Sequence, residues 1–521
     1  MERGAWKSNF GFVLAAVGSA IGLGNIWRFS YLCHKNGGGT FLVPYLIALF
    51  TVGIPIMILE FAIGHKMRGS APKAMHKIHP EWEWLGWWPV FFVMFGINLY
   101  YTVVIAWCGL FALFSLAPLL PAVDALPWSA GKDGTEGFFM HDFLGRPRPA
   151  DLGPGETAGV FDLGGVQWPI LLMTVFVWAV LWVICARRVE KGVELACKIF
   201  MPILLLLTAI LVFWGLFLDG AVAGIIEYLR PKPALLGEAQ VWREAFGQIF
   251  FTLSLGFGIM IAYASYLPKK VDLVGSAFIT SIVNCAYSIF AGFAVFSVLG
   301  YMAHVKGAAV GDVVTGGPGL CFVVYPEAIS LLPGFNSLFG FLFFVTLFLA
   351  GVTSAISIVE AFAVAAIDKF GWKRIGVVTV TCVIGCAGSI IFTTSAGLLL
   401  LDIVDHFLNN YGLVLVGLLE CLLVVWYYKI DHLHFHLTDA NQGSYSKAMD
   451  IWWEWSVKFA APAVLIIILA WSLIDELSKP YEGYPVKALV IVGMGWVLAT
   501  FLVSGVFSVY TKHRPAELPD E

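Results

Sequence analysis

Charge is scarce in this sequence. Only 13% of its 521 residues are Asp, Glu, Lys or Arg, against roughly 25% in a soluble globular chain. With 59% hydrophobic residues and a mean hydropathy of +0.84, that shortage excludes an ordinary water-soluble domain. Short alternating polar and apolar segments are missing too, which excludes a transmembrane β-barrel. The nine cysteines are scattered without metal-ligand spacing, and no histidine or cysteine cluster points to zinc or copper. Nothing resembles a paired catalytic acid and base, so no enzyme is expected, and no nucleic-acid partner. The net charge of -4 says little, because where the charges lie matters more than their sum.

What remains is a series of long, continuous apolar runs. Crossing ~30 Å of hydrocarbon takes about twenty apolar residues in a helix. Such runs lie near 10–33, 40–64, 87–118, 168–186, 195–218, 241–267, 273–300, 336–367, 375–398, 408–430, 454–475 and 487–510. The expectation is an all-α polytopic membrane protein with twelve transmembrane helices and a short joint over 399–407. The first run continues past any cleavage site into Asn25, Trp27 and Arg28, so it reads as a span and not a signal peptide. Lys66, Arg68, Lys73, Lys77, Arg187, Arg188, Lys191, Lys269, Lys270, Lys369, Lys373 and Arg374 fall in the short loops of one face, whereas the long loop near 119–167 is mainly acidic. This positive-inside pattern places both termini in the cytoplasm of a cell bounded by this inner (plasma) membrane. Trp82, Trp84, Trp87, Trp88, Trp452, Trp453 and Trp455 read as interfacial anchors.

Two spans carry interruptions. Gly18, Gly22 and Gly24 each destabilise the first helix by roughly 1 kcal/mol relative to alanine, and Asn25 adds a polar side chain at membrane depth. Close helix packing is one reading of such glycines. Unwound backbone is the other, and it survives in hydrocarbon only where something polar satisfies the freed carbonyls and amides. The sixth run has a matching interruption with Gln248, Thr252, Ser254, Gly256 and Gly258. Two glycine-interrupted helices five spans apart point to an inverted repeat with a binding site at the midplane. Asn284, Thr353 and Ser354 supply further oxygens suited to a hard cation, although each hydroxyl could instead bond its own helix backbone. Arg28, outward of the first break, and Glu420, in the tenth span, are costly facing lipid and are expected to face a vestibule or a partner. Arg3, Trp6 and Asp368 are expected to form a gate at the opposite face.

The segment Gly22-Leu23-Gly24-Asn25-Ile26-Trp27-Arg28-Phe29, followed by Asn36-Gly37-Gly38-Gly39 and Pro44-Tyr45, resembles the first two helices of the neurotransmitter:sodium symporter family, solute carrier family six. The run Gln248 to Gly258 is similar to its sixth helix, and the resemblance covers nearly the whole chain, in the manner of a bacterial amino-acid transporter. It implies a single transporter domain over 1–520, with inverted repeats at 10–218 and 241–430 and two additional helices at 454–510. It also implies two sodium sites. One is held by Ala20, Asn25, Thr252, Asn284 and the cargo's own carboxylate, the other by Gly18, Ile21, Ala350, Thr353 and Ser354. A chloride site is implied at Tyr45, Gln248, Thr252, Asn284 and Ser288, with the neutral Ser288 favouring chloride dependence because no local carboxylate balances the sodium charge.

The implied cargo site is Ala20, Gly22, Leu23, Gly24, Ile97, Tyr101, Phe251, Thr252, Ser254, Phe257, Ser354 and Ile358. Gly22 stands where monoamine carriers of the family have aspartate, which argues against catecholamine or serotonin. The lining offers no countercharge to a charged cargo side chain. A neutral, hydrophobic amino acid follows as the expected partner, carried into the cell with sodium by alternating access. An amino-acid sensor that binds with little transport keeps the same residues and stays open, whereas a channel calls for a continuous polar stripe. The long loop has no cysteine for the disulfide of animal members and no glycosylation acceptor, and with short tails this suggests a prokaryotic source.

Overall fold

A computed structural model describes residues 5–120, 125–129, 133–148, 151, 159–314, 316–441 and 446–509. Arg3 lies outside the described residues. The described chain is helical, and its spans follow from length and apolarity alone. Ten helices are long and apolar enough to cross a bilayer, or eleven when the bent pair α1 (Asn9–Ala20) and α2 (Leu23–Lys35) counts as one span. The others are α3 (Gly39–Met67), α4 (Pro80–Leu119), α5 (Trp168–Cys185), α6 (Val193–Leu216), α9 (Leu273–Lys306), α10 (Asn336–Phe370), α11 (Arg374–Thr393), α12 (Gly397–Lys429), α13 (Lys447–Gly483) and α14 (Val486–Val509). The expected sixth span is two short helices, α7 (Ala239–Thr252) and α8 (Ile259–Ala264).

Burial sorts these helices into a centre and a rim. The most apolar windows of α3 and α10 are 78% buried within the protein, whereas those of α13 and α14 are only 28% and 22% buried. The rim helices therefore leave their Leu, Ile, Val and Phe side chains to lipid. Helices α4 and α10 pack along one another, and α1 lies against α6, α9 and α10. Helix α10 also packs against α8, so it touches both broken pairs.

Two expectations need correction. Residues 399–407 are not a joint, because α12 begins at Gly397 and the turn falls after Thr393. The apolar residues Leu398 to Leu401 pack inward there, which carries the helix through this stretch. Trp87, Trp88 and Trp453 are buried and not interfacial. Trp87 donates its indole N–H to Glu83 at 2.9 Å, and Trp453 donates to the Pro55 carbonyl at 3.0 Å.

Candidate functional site

The first interruption is confined to two residues. Ile21 (φ -76°, ψ 104°) and Gly22 (φ -129°, ψ -169°) are extended, and the axis turns by 51° between α1 and α2. The second runs from Leu253 to Gly258, where Ser254, Gly256 and Gly258 take φ of 53°, 72° and 71°. Left-handed backbone suits the two glycines. Ser254 is strained by comparison, and its hydroxyl donates to the Ser19 carbonyl at 3.3 Å. The Gly256 N–H, freed by the break, donates to Glu60 Oε1 at 2.7 Å.

The two breaks meet around Asn25. Its Oδ1 accepts the Gly22 N–H at 2.8 Å, which stops the unwound turn from drifting. Its Nδ2 lies within hydrogen-bonding distance of Thr252 Oγ1 (3.0 Å), Asn284 Oδ1 (2.8 Å) and Ser288 Oγ (2.9 Å). Asn284 Nδ2 donates to Thr252 Oγ1 at 3.2 Å. Four side chains from α2, α7 and α9 thus form one buried polar cluster. On the other side of the break, Ser354 Oγ donates to the carbonyls of Ser19 (3.0 Å) and Ile21 (3.3 Å). Thr353 Oγ1 reaches the carbonyls of Ala350 (3.0 Å) and Leu349 (3.1 Å). Amide, hydroxyl and backbone oxygens of this kind are the ligands of hard cations. Gly18 faces Met201 and Cys197 of α6 across a close helix contact.

Tyr45 and Gln248 stand apart in chemistry. The Tyr45 hydroxyl is buried beside Ser288 and Cys285 without a well-formed hydrogen bond, and both polar atoms of the Gln248 amide are buried without a partner. Gln248 is one turn before Thr252 on α7, so both share a helix face. Buried donors left unpaired are costly. Phenol, serine hydroxyl and amide N–H are together a donor set for an anion.

Between the breaks lies a cavity of about 50 Å³, small against the roughly 300–1,000 Å³ of ordinary ligand clefts. Of the twelve expected cargo residues, all but Leu23 line it, joined by Ser19, Asn25 and Ile259. Leu23 is linked to it through its backbone N–H, which donates to Tyr101 Oη at 3.3 Å. The apolar wall is Ile97, Phe251, Phe257, Ile259 and Ile358, and no charged side chain enters it. A Cβ on Gly22 would come within 2.8 Å of Tyr101 Oη and 2.9 Å of Ser354 Oγ, so that space exists only because position 22 has no side chain.

Above this cavity is a vestibule of about 640 Å³, which shares Gly24, Ile97, Tyr101 and Phe251 with it. The Arg28 guanidinium lies 4.8 Å from the centre of the Phe251 ring. Across the vestibule stands Asp405, a residue not singled out from the sequence, which accepts the Tyr100 hydroxyl at 2.5 Å. Glu420, expected at this vestibule, is not there. It is fully buried in α12 next to Glu60, so protein and not a water-filled opening surrounds it. At the opposite face, Trp6 Nε1 donates to the Tyr263 carbonyl at 2.8 Å, and Asp368 accepts the Ser70 N–H at 2.8 Å and lies 3.9 Å from Lys73. The cavity thus shares part of its lining with the vestibule, whereas Trp6 is packed against α8 and does not line it.

Comparison with known proteins covers the whole of this architecture. The model of the sodium:neurotransmitter symporter family matches residues 3–136 and 132–514. An uncharacterised sodium-dependent transporter of Methanocaldococcus jannaschii is 44% identical over 504 residues, 97% of this chain and 97% of that protein. A creatine transporter of Torpedo marmorata is 34% identical over 526 residues, 96% of this chain and 83% of that protein.

Proposed function

Because the chain belongs to the sodium:neurotransmitter symporter family, and is thus a multi-pass sodium-coupled transporter and not an enzyme, we propose that it carries a small neutral, hydrophobic amino acid into the cell with two sodium ions and chloride. The observation that carries this reading is the uncharged cavity between two broken helices, with apolar walls and polar backbone at one end. The cargo carboxylate meets the N–H groups of Leu23 and Gly24 and the Tyr101 hydroxyl. Its ammonium meets the carbonyls of Ala20, Phe251 and Thr252 and the oxygen of Ser254. A guanidinium would find no carboxylate in this lining, which disfavours a creatine-like cargo.

The first sodium takes oxygens of Ala20, Asn25, Thr252 and Asn284 together with the cargo carboxylate. The second takes Gly18, Ile21, Ala350, Thr353 and Ser354. Chloride takes the donors of Tyr45, Gln248, Thr252, Asn284 and Ser288, and the unpartnered Tyr45 and Gln248 support it. Residues 10–218 and 241–430 form the inverted repeats and 454–510 the two further helices. Both termini are cytoplasmic in the inner (plasma) membrane. Cargo and ions enter from the vestibule, Phe251 and Arg28 close over them toward Asp405, and the Trp6 face then opens. Each sodium moving down ~100 mV contributes about 2.3 kcal/mol.

Uptake of a panel of labelled amino acids and creatine into proteoliposomes, driven by sodium chloride, sodium gluconate or potassium chloride, tests the proposal. Uptake of an aliphatic amino acid in sodium chloride, several-fold less in gluconate and none in potassium, is the expected outcome. Equal rates in chloride and gluconate remove the chloride site. Binding without uptake replaces the carrier by a sensor.

A further inference from the structure

The beginning of α1 is tied down by a carboxylate that takes no part in the cargo site. Glu194, in the first turn of α6, is only 1% exposed. Its Oε2 accepts the Lys7 backbone N–H at 3.0 Å, and its Oε1 accepts Lys198 Nζ at 2.6 Å. Lys7 immediately precedes Ser8, whose hydroxyl caps α1 by accepting the Gly11 N–H at 3.0 Å. The carboxylate thus sits at the positive end of the α1 dipole, where negative charge is favoured. It also fills the place of a missing side chain, since a Cβ on Gly11 would lie 2.3 Å from Oε1. Gly11 is ordinary helical residue in its backbone, so what the glycine provides is room.

Other ties among the described residues hold the same end, and they are neutral. Trp6 bonds to the Tyr263 carbonyl of α8, and Asn9 Nδ2 reaches Ser276 Oγ of α9 at 3.4 Å. A hydrogen bond to an ionised acceptor is roughly twice as strong as one between neutral groups. Among the described residues, the Glu194 contact is therefore the strongest tie on the α1 terminus.

We propose that Glu194 is a catch that holds α1 against α6, and that its release is a step in opening the cargo site on the Trp6 face. The proposal rests on the alternating-access reading. Helix α1 ends at Ala20, which lines the cargo cavity, so a movement that uncovers the cavity from the Trp6 face carries the α1 terminus with it. Any displacement of that terminus from α6 breaks the Lys7 bond and withdraws the carboxylate from the Gly11 notch. A contact made in one state and lost in the other biases the equilibrium between them.

The chain carries its own reporter. Cys197, three residues after Glu194 on α6, is fully buried, with Sγ 3.5 Å from where a Gly18 Cβ would stand on α1. Cys108 in α4 is equally buried and serves as the control. The measurement is alkylation by a membrane-permeant maleimide, resolved by residue with mass spectrometry, on the full-length reconstituted protein in saturating sodium without cargo. Glu194→Ala is expected to raise Cys197 labelling at least about tenfold, the scale of losing a charged hydrogen bond, with Cys108 unchanged. Gly11→Ala, which evicts the carboxylate, is expected to do the same, and alone carries the test if Glu194→Ala does not insert. Added to Glu194→Ala, it is expected to add nothing, because both changes remove one interaction. Unchanged Cys197 labelling in these variants overturns the proposal, as does a parallel rise at Cys108 or full additivity of the two substitutions. The readout needs neither cargo nor uptake, so its failure is distinct from an absence of sodium-dependent uptake in the unaltered protein, which would instead refute the transport reading.

Discussion

At position 22 a missing side chain sets the size of the cavity. The space beside Gly22 is bounded by the Tyr101 and Ser354 hydroxyls at under 3 Å from any Cβ. Gly22→Val therefore has to push on the two groups proposed to meet the cargo carboxylate and the second sodium. We expect cargo affinity, measured by scintillation proximity binding, to fall at least about tenfold while expression and thermal unfolding stay near those of the unaltered protein; a fall of 1.4 kcal/mol in binding corresponds to that factor. Unchanged affinity would place the cargo elsewhere. Asn25, Thr252, Asn284 and Ser354 were legible in the sequence because polar groups at membrane depth need partners, and the structure brings them to the two breaks. Glu420 was legible as a buried charge and misread in its surroundings. The cost of exposure to lipid says that a carboxyl faces protein or water, and does not say which. Asp405 escaped notice because it fell in an expected joint, where an acidic residue needs no explanation.

Among the elements, the two broken helices do the positioning. Neither break is stable alone: Gly22 is held through Asn25, and Gly256 through Glu60. Asn25 also joins α2 to α7 and α9. Asn25→Ala removes that junction and an oxygen of the proposed first cation site together. The expected outcome is loss of sodium-dependent cargo binding, with a melting temperature lowered by a few degrees and membrane insertion retained; binding in sodium equal to that of the unaltered protein would refute the assigned cage. The sequence located both breaks to within a few residues, since glycine and proximate polar groups are poor partners for continuous helix in hydrocarbon. It did not resolve their unequal lengths, two residues against six, because those depend on tertiary bonds to Glu60, Ser19 and Ser354. The turn between α11 and α12 was displaced for a related reason: the packing of Leu398 to Leu401 that continues the helix is set by the tertiary fold.

On the scale of the whole molecule, the cavity adjoins the vestibule on one side, and Trp6 is bonded to α8 on the other face. The apolarity of the spans was plain in the sequence, whereas the relation of the cavity to its two faces was not, because it depends on tertiary packing. The account rests on cations and cargo being satisfied by the same unwound backbone, which makes their binding interdependent, each strengthening the other. Equilibrium binding of the labelled cargo to purified protein, across a sodium series at constant ionic strength with potassium as the balance, tests this most directly. The account predicts no measurable binding in potassium and an affinity that rises steeply with sodium, more than in simple proportion. Equal affinity in sodium and potassium would contradict it.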